Sequence, residues 1–312
     1  QPASPRAEPV FLSDVPLVRV ARQAMATRFE VVLPGTDVVR LRAAAEEALG
    51  EVERLEEMLS PYLETSEVAG LNRRASIEPV RVSPELFRYL EQAAALSQLS
   101  QGAFDLTVGP LMAAWGFVRG AGAVPAAAVL EEALVQVGMQ WVELNSASGT
   151  VRFHRPRLRL DLGAFGKGIA LDRAVERLRE AGVTSALLHG GTSSIFALGV
   201  QPGGSPWRIG LEGPTSPADP TQRLIEVVEL HEESLAVSAV WGRVLETGAA
   251  SYGHVIDPRD GQPVGHTQLA AVVLPSAAES DALSTALLVL GREGLATLDA
   301  ARPGMRCVIL GR

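Results

Sequence analysis

The chain has 312 residues, 47% of them hydrophobic and 21% charged, enough for a substantial buried core. No apolar run reaches the length of a membrane-spanning helix. The net charge of −8, with no basic block, argues against nucleic acid as the main partner. A single cysteine, Cys307, excludes an internal disulfide framework and a cysteine-based zinc site. Of the 28 basic residues all but Lys167 are arginine, so one position has kept its lysine against the trend of the whole chain.

The first sixteen residues carry Pro2, Pro5, Pro9 and Pro16 with little periodicity, which predicts a disordered tether ahead of a folded domain spanning residues 17–312. A strand is expected at residues 28–33, after Met25-Ala26-Thr27. Helical apolar spacing runs over residues 37–59 and Pro61 stops it. Ser83 and Pro84 mark the start of a second helix that reaches about Leu99. A third follows Pro125 as far as Val137, with Gly138 as its stop. Short strands are expected at 141–144, 151–154 and 158–162, then an amphipathic helix at 169–181 ending on Gly182.

Residues 185–238 read as mostly β, with strands at 186–188, 195–198, 207–211 and 224–230 separated by the connectors 199–206 and 213–220. A strand at 269–274, a helix at 276–290 and a strand at 307–310 complete the chain, Cys307 being a packed thiol in the last. Helices dominate the first 140 residues and mixed strands the rest, which indicates an α+β fold.

Three segments carry residues suited to chemistry. Leu160-Asp161-Leu162-Gly163-Ala164-Phe165-Gly166-Lys167-Gly168 joins an expected strand to a helix. Its glycines permit close backbone approach to a ligand, and helix amides with a lysine make an anion cradle. The spacing fits neither a nucleoside-triphosphate P-loop nor a dinucleotide GxGxxG turn. The alternative is a plain strand-to-helix turn with an exposed lysine.

Ser276-Ala277-Ala278-Glu279 reads as a capping box. Asp281 and Thr285 are then one turn apart on one face, hard oxygens of the kind that suit Mg²⁺, or else a polar stripe with its hydroxyl bonded back to the backbone. His254 lies in Tyr252-Gly253-His254-Val255-Ile256-Asp257-Pro258-Arg259-Asp260-Gly261, either a general base or a structural histidine beside a turn. No Gly-x-Ser-x-Gly elbow is present.

Taken in order, Met25-Ala26-Thr27, Ser60-Pro61-Tyr62, residues 102–110, 161–168, 253–261 and 278–286 resemble the FAD:protein FMN transferases of the ApbE, or flavin-trafficking, family. The resemblance implies a two-lobed, T-fold-like α+β architecture with mixed, largely antiparallel sheets flanked by helices, and FAD in the cleft between the lobes. It implies FAD contacts from Met25, Tyr62, Ala103, Phe104, Asp105, Asp161, Lys167, His254 and Val255. A magnesium site is implied at the Ala164 carbonyl, Asp281 and Thr285. Lys167, His254 and Asp281 become the catalytic candidates.

The implied reaction splits the FAD pyrophosphate, moves FMN to a threonine hydroxyl of an acceptor flavoprotein and releases AMP. Two other readings are an FAD pyrophosphatase, and a flavin-binding protein of the same fold without transfer. An exported or membrane-tethered location, serving a membrane redox complex, is implied as well. One stretch departs from the family pattern: His189-Gly190-Gly191-Thr192-Ser193-Ser194 lacks the acidic residue that commonly follows the paired glycines. Phe165 and Gly166 also replace the commoner small aliphatic residue and alanine.

Overall fold

The computed structural model describes residues 15–118, 122–214, 224–242, 244–247 and 250–311. Most of the expected tether, residues 1–14, and most of the connector 213–220 lie outside the described residues. Pro16 already belongs to the folded part, because its carbonyl accepts from Gly35 N–H at 2.9 Å.

The architecture is α+β. A seven-stranded sheet runs in the order Leu17–Ala24, Thr27–Pro34, Ala186–Gly190, Ser194–Leu198, Glu233–Ala239, Thr267–Leu274, Arg306–Gly311. Every neighbouring pair is antiparallel. Helices Val38–Leu59, Gly166–Glu180 and Ala277–Leu290 share one buried cluster with the sheet.

Burial along the strands shows how much of each face is covered. In Leu17–Ala24 only alternate residues such as Val18, Val20 and Ala24 are buried, as one solvated face requires. In Thr267–Leu274 both faces are buried. Ala270, Val272 and Leu274 pack with the helices, while Leu269, Ala271 and Val273 pack under the hairpin Trp207–Glu212 and Leu224–Leu230. That double cover explains why residues 269–274 are apolar without alternation.

Between the second and third strands of this sheet, the chain builds a helix-rich region. It contains helices Glu67–Arg74, Pro84–Leu99, Gly109–Ala114 and Ala127–Leu134. A three-stranded sheet in the order Val80–Arg81, Thr150–Phe153, Val142–Asn145 completes it. Leu86, Leu90, Leu96, Phe104 and Leu106 join the main buried cluster, so this region and the large sheet share a core.

Several elements differ from expectation, each for a local reason. Residues 158–162 are extended but form no strand. Their one bridge pairs Arg159 with Val108, while Asn72 donates to the Leu160 carbonyl and accepts its N–H, replacing a neighbouring strand with a side chain. The helix expected to reach Val137 ends at Leu134, and Gly138 (φ 131°) starts the 3-10 turn Met139–Trp141 ahead of strand Val142–Asn145. Helix Gly166–Glu180 begins three residues earlier than expected, because Gly166 and Gly168 weaken the helical signal of its first turn. Strands Leu17–Ala24 and Glu233–Ala239 and the short helices Glu67–Arg74 and Gly109–Ala114 were not among the expected elements.

Candidate functional site

A cleft of about 1520 Å³ opens where the helix-rich region meets the large sheet. That is larger than the roughly 300–1,000 Å³ that holds a drug-sized ligand, and gives room for a dinucleotide. Met25, Tyr62, Ala103, Phe104, Asp105, Asp161, Ala164, Lys167, His254, Val255, Asp281 and Thr285 all line it. Residues spread over some 260 positions of sequence thus converge on one site.

The floor is made by two helices. Asp281 stands one turn into Ala277–Leu290 and is only 4% exposed. Ser194 Oγ donates to its Oδ1 at 3.0 Å and Gly168 N–H to its Oδ2 at 3.2 Å. Lys167 Nζ sits 3.4 Å from both oxygens and 3.4 Å from the Gly163 carbonyl. These lysine contacts are long, so the ammonium is held loosely enough to turn toward an anion in the cleft. Lys167 and Gly168 lie in the first turn of their helix, where the Gly166 N–H donates to the Leu162 carbonyl at 2.7 Å and the Gly168 N–H to Asp281.

The preceding turn is shaped by Asp161. Its Oδ1 accepts from Gly163 N–H at 2.8 Å and its Oδ2 from the Tyr62 hydroxyl at 3.3 Å. Tyr62, 51% exposed, forms part of the rim.

The wall at residues 102–107 is different in kind. Asp105 is 8% exposed, and its carboxylate accepts from Thr107 N–H (2.8 Å), the Thr107 hydroxyl (2.5 Å), Met139 N–H (2.9 Å) and the Ser97 hydroxyl (3.3 Å). With four donors in place, Asp105 holds the wall's shape and has little left for a ligand. Ala103 and Phe104 are each 1% exposed, and Phe104 packs on Phe165 with ring centroids 5.9 Å apart.

Met25 and Ala26 form the tip of a two-residue hairpin, both with positive φ (52° and 58°). Two consecutive left-handed residues are the geometry of a type I′ turn, here made without glycine. His254 follows the hairpin Val244–Thr247 and Ala250–Gly253 and is half-buried, with Gly242 beside its ring. The turn beyond it is pinned by Arg259, whose guanidinium donates to both oxygens of Asp257 at 2.7–3.2 Å.

Thr285 lines the cleft, yet its hydroxyl also donates to the Asp281 carbonyl at 3.3 Å and lies 3.1 Å from Ser238 Oγ. The hydroxyl bonded back to the backbone is therefore observed, on a residue that also lines the cleft. The capping box is only half formed: Ser276 Oγ accepts from Glu279 N–H at 3.3 Å, but the Glu279 carboxylate turns to Arg302 at 2.9 Å.

The donor set suits Mg²⁺. Asp281, Thr285 and Ala164 offer one carboxylate, one hydroxyl and one backbone carbonyl on a shared cleft, all hard oxygens. Among the described residues no three His, Cys, Asp or Glu side chains cluster to hold a metal by themselves. A single carboxylate whose remaining shell comes from substrate phosphates and water is the usual Mg²⁺ arrangement.

Sequence reasoning missed three contributors. Ser194, at the end of the Thr192-Ser193-Ser194 run, is 1% exposed and places a hydroxyl on the floor carboxylate of Asp281. Ser238 shares the Thr285 hydroxyl. Ile209, Leu211 and Trp241 add an apolar side to the cleft. Only the strand-end position of Ser194 and Ser238, each facing the helix Ala277–Leu290, could have given them away.

Known proteins resemble the chain over most of its length. The model of the ApbE family matches residues 25–309. A Treponema pallidum protein named FAD:protein FMN transferase is 32% identical over 285 residues, covering 86% of this chain and 77% of the relative. A Vibrio cholerae protein of the same name is 31% identical over 253 residues, covering 80% and 74%. Among solved structures, the Thermotoga maritima ApbE protein superposes with a TM-score of 0.86 at 27% identity, covering 94% of each chain. The apo Pseudomonas stutzeri flavinyl transferase ApbE gives 0.80 at 29%, covering 96% and 92%. With its family match spanning nearly the whole folded chain and its cleft built from those same segments, the chain belongs to the ApbE family.

Proposed function

We propose that the chain is an FAD:protein FMN transferase, which moves FMN from FAD to a threonine hydroxyl of an acceptor flavoprotein and releases AMP. The observation that carries this reading is the convergence of Lys167, His254 and Asp281 on one dinucleotide-sized cleft. The names of relatives across most of the chain support it.

In this reading the FAD pyrophosphate lies along residues 163–168, where Lys167 supplies positive charge. The acceptor threonine oxygen attacks the phosphorus of the FMN half, and the bond from that phosphorus to the AMP oxygen breaks. His254 takes the threonine proton, and AMP leaves as the anion, with Lys167 near its phosphate. Asp281, Thr285 and the Ala164 carbonyl would hold Mg²⁺. The ion, when bound, neutralises pyrophosphate charge and makes AMP a better leaving group. Asp105 and Asp161 shape the wall and the turn against which the nucleotide is oriented.

Incubation with FAD, Mg²⁺ and a threonine-bearing acceptor domain tests the proposal. An acceptor mass gain of one FMN supports transfer. Free FMN and AMP without that gain mean hydrolysis, and FAD retained unchanged means a binding protein. The same reading implies an exported, periplasmic or membrane-tethered protein serving a membrane redox complex; cell fractionation checks that placement.

A further inference from the structure

Asp172 lies outside the cleft, one turn beyond Gly168 on helix Gly166–Glu180, and faces the start of helix Ala277–Leu290. Its Oδ1 accepts from Ala277 N–H at 2.7 Å. Its Oδ2 accepts from Ala278 N–H at 3.0 Å and from the Ser276 hydroxyl at 2.9 Å. The first amides of a helix have no partner within it, and here a carboxylate from a second helix supplies one. Burial pushes the Asp172 carboxyl above the ordinary carboxylate value despite these three hydrogen bonds. The position therefore carries a desolvation cost that a Ser276 cap alone would not.

The two helices also touch directly. A Cβ on Gly168 would fall 2.2 Å from the Ala277 carbonyl oxygen and 2.6 Å from Ala278 Cα, so only glycine allows the contact. The N–H of that glycine is the one that donates to Asp281 Oδ2. Asp281 lies one turn along from Ala277, and Lys167 is the neighbour of Gly168. The Asp172 clamp and the Gly168 contact thus fix two points of the pair of helices, and Lys167 and Asp281 ride on that pair.

We infer that Asp172 is a positioning residue for the transfer site: by clamping the start of helix Ala277–Leu290 to helix Gly166–Glu180, it sets the separation of Lys167 and Asp281. Without the clamp, the Asp281 carboxylate drifts from Lys167 and from the place where phosphate and metal are held. The geometry of the clamp is independent of the transferase reading; the consequence for the metal rests on it.

The lone lysine makes the test specific. Lys167 is the only side-chain amine in the chain. Its rate of acylation by an amine-reactive ester, followed by peptide mass spectrometry, therefore reports its pairing with Asp281. Asp172→Ala is expected to raise that rate about threefold or more, the scale of one lost ion pair. Asp172→Asn, which keeps one acceptor oxygen and guards against a folding failure, falls between. Leu230→Ala, a destabilising cavity in the separate buried cluster under the hairpin Trp207–Glu212 and Leu224–Leu230, leaves the rate at the wild-type value. In FAD retention, the Mg²⁺ concentration at half-effect is expected to rise roughly tenfold in Asp172→Ala, as for other groups that orient metal ligands.

A loss of thermal stability with an unchanged Lys167 rate makes Asp172 a helix cap only and overturns the inference. So does an unchanged Mg²⁺ midpoint where the wild type has one. If the wild type retains FAD with no Mg²⁺ dependence, the metal reading fails instead, and the Lys167 rate alone decides on Asp172.

Discussion

On the wall at residues 102–107, the Asp105 carboxylate is closed off by its own chain, with four donors at 2.5–3.3 Å from Ser97, Thr107 and Met139. On the floor, the Asp281 carboxylate is just as buried but keeps only two hydrogen bonds near 3 Å, from Ser194 and Gly168, and a loose lysine at 3.4 Å. Of the aspartates that line the cleft, Asp105 is committed to the fold and Asp281 is held ready for a ligand. Burial and position in the cleft do not tell them apart. The number and tightness of internal donors does, because a carboxylate with every lone pair occupied cannot take a cation without unfolding its surroundings.

The largest expected effect comes from Asp281→Ala. If the floor carboxylate is the ligand-facing one, turnover falls by about 10³-fold or more and Mg²⁺ dependence disappears. Stability falls as well, by about 2 kcal/mol, because the Ser194 hydroxyl and the Gly168 N–H lose their buried acceptor. Rates at several Mg²⁺ concentrations, with denaturant unfolding, check both halves. Unchanged metal dependence removes Asp281 from the metal site and erases the contrast with Asp105.

Asp105→Ala should show the reverse pattern. It strands the Thr107 and Met139 amides and the Thr107 hydroxyl, which itself accepts from Gly138 N–H at 2.6 Å. Buried donors without partners cost roughly 1–3 kcal/mol each, so about 3 kcal/mol of stability should go. Turnover per folded molecule, measured well below the melting temperature, should stay within about tenfold of wild type. A catalytic loss as large as that of Asp281→Ala, without destabilisation, would make Asp105 a ligand group after all.

Lys167→Arg probes the loose side of the floor. Lysine is a compact point charge, whereas arginine is a larger planar fork. Placed between the Gly163 carbonyl and Asp281, arginine should engage Asp281 with two hydrogen bonds and tighten what is now a 3.4 Å contact. FAD affinity or turnover is expected to fall about tenfold. A fully active variant would mean that the one retained lysine has no role in the site.

How far the sequence could anticipate this follows the same division. Segments that act through their own local pattern were readable. The apolar spacing of Val38–Leu59, the Ser83-Pro84 start of the next helix and the run of residues 269–274 each signal an element directly. The site residues drew together through the family resemblance, and the cleft holds them all. Features that depend on a partner far away in sequence were not readable. The Leu160 backbone is satisfied by Asn72, Asp281 is held by Ser194, and the start of helix Ala277–Leu290 is clamped by Asp172. No local periodicity marks such pairs, because each half is an ordinary polar residue until the fold closes. Gly166 and Gly168 misled in the opposite sense: poor helix formers locally, they stand in the first turn of a helix, and at Gly168 the contact with Ala277 leaves no room for a side chain.

The smallest effect concerns a third way of building a cleft wall, by backbone conformation rather than hydrogen bonds. Met25 and Ala26 both sit in the left-handed region, where a residue with a Cβ is disfavoured by roughly 1–2 kcal/mol. Ala26 is exposed, so its methyl group gains little from packing to offset that cost. Ala26→Gly removes the steric penalty but adds freedom to the unfolded chain, which takes back part of the gain. The net expectation is a gain of about 0.5–1 kcal/mol, or roughly 2 °C in melting temperature. The strands on either side pair from Leu17↔Pro34 to Ala24↔Thr27 without interruption, so the register should survive the change. If the rigid turn positions Met25 against the ligand, the stabilised variant should bind FAD severalfold more weakly, a gain in stability coupled to a loss in affinity. Higher stability with unchanged FAD affinity would show that the left-handed pair only closes the hairpin, leaving Asp105 as the group that shapes the wall of the cleft.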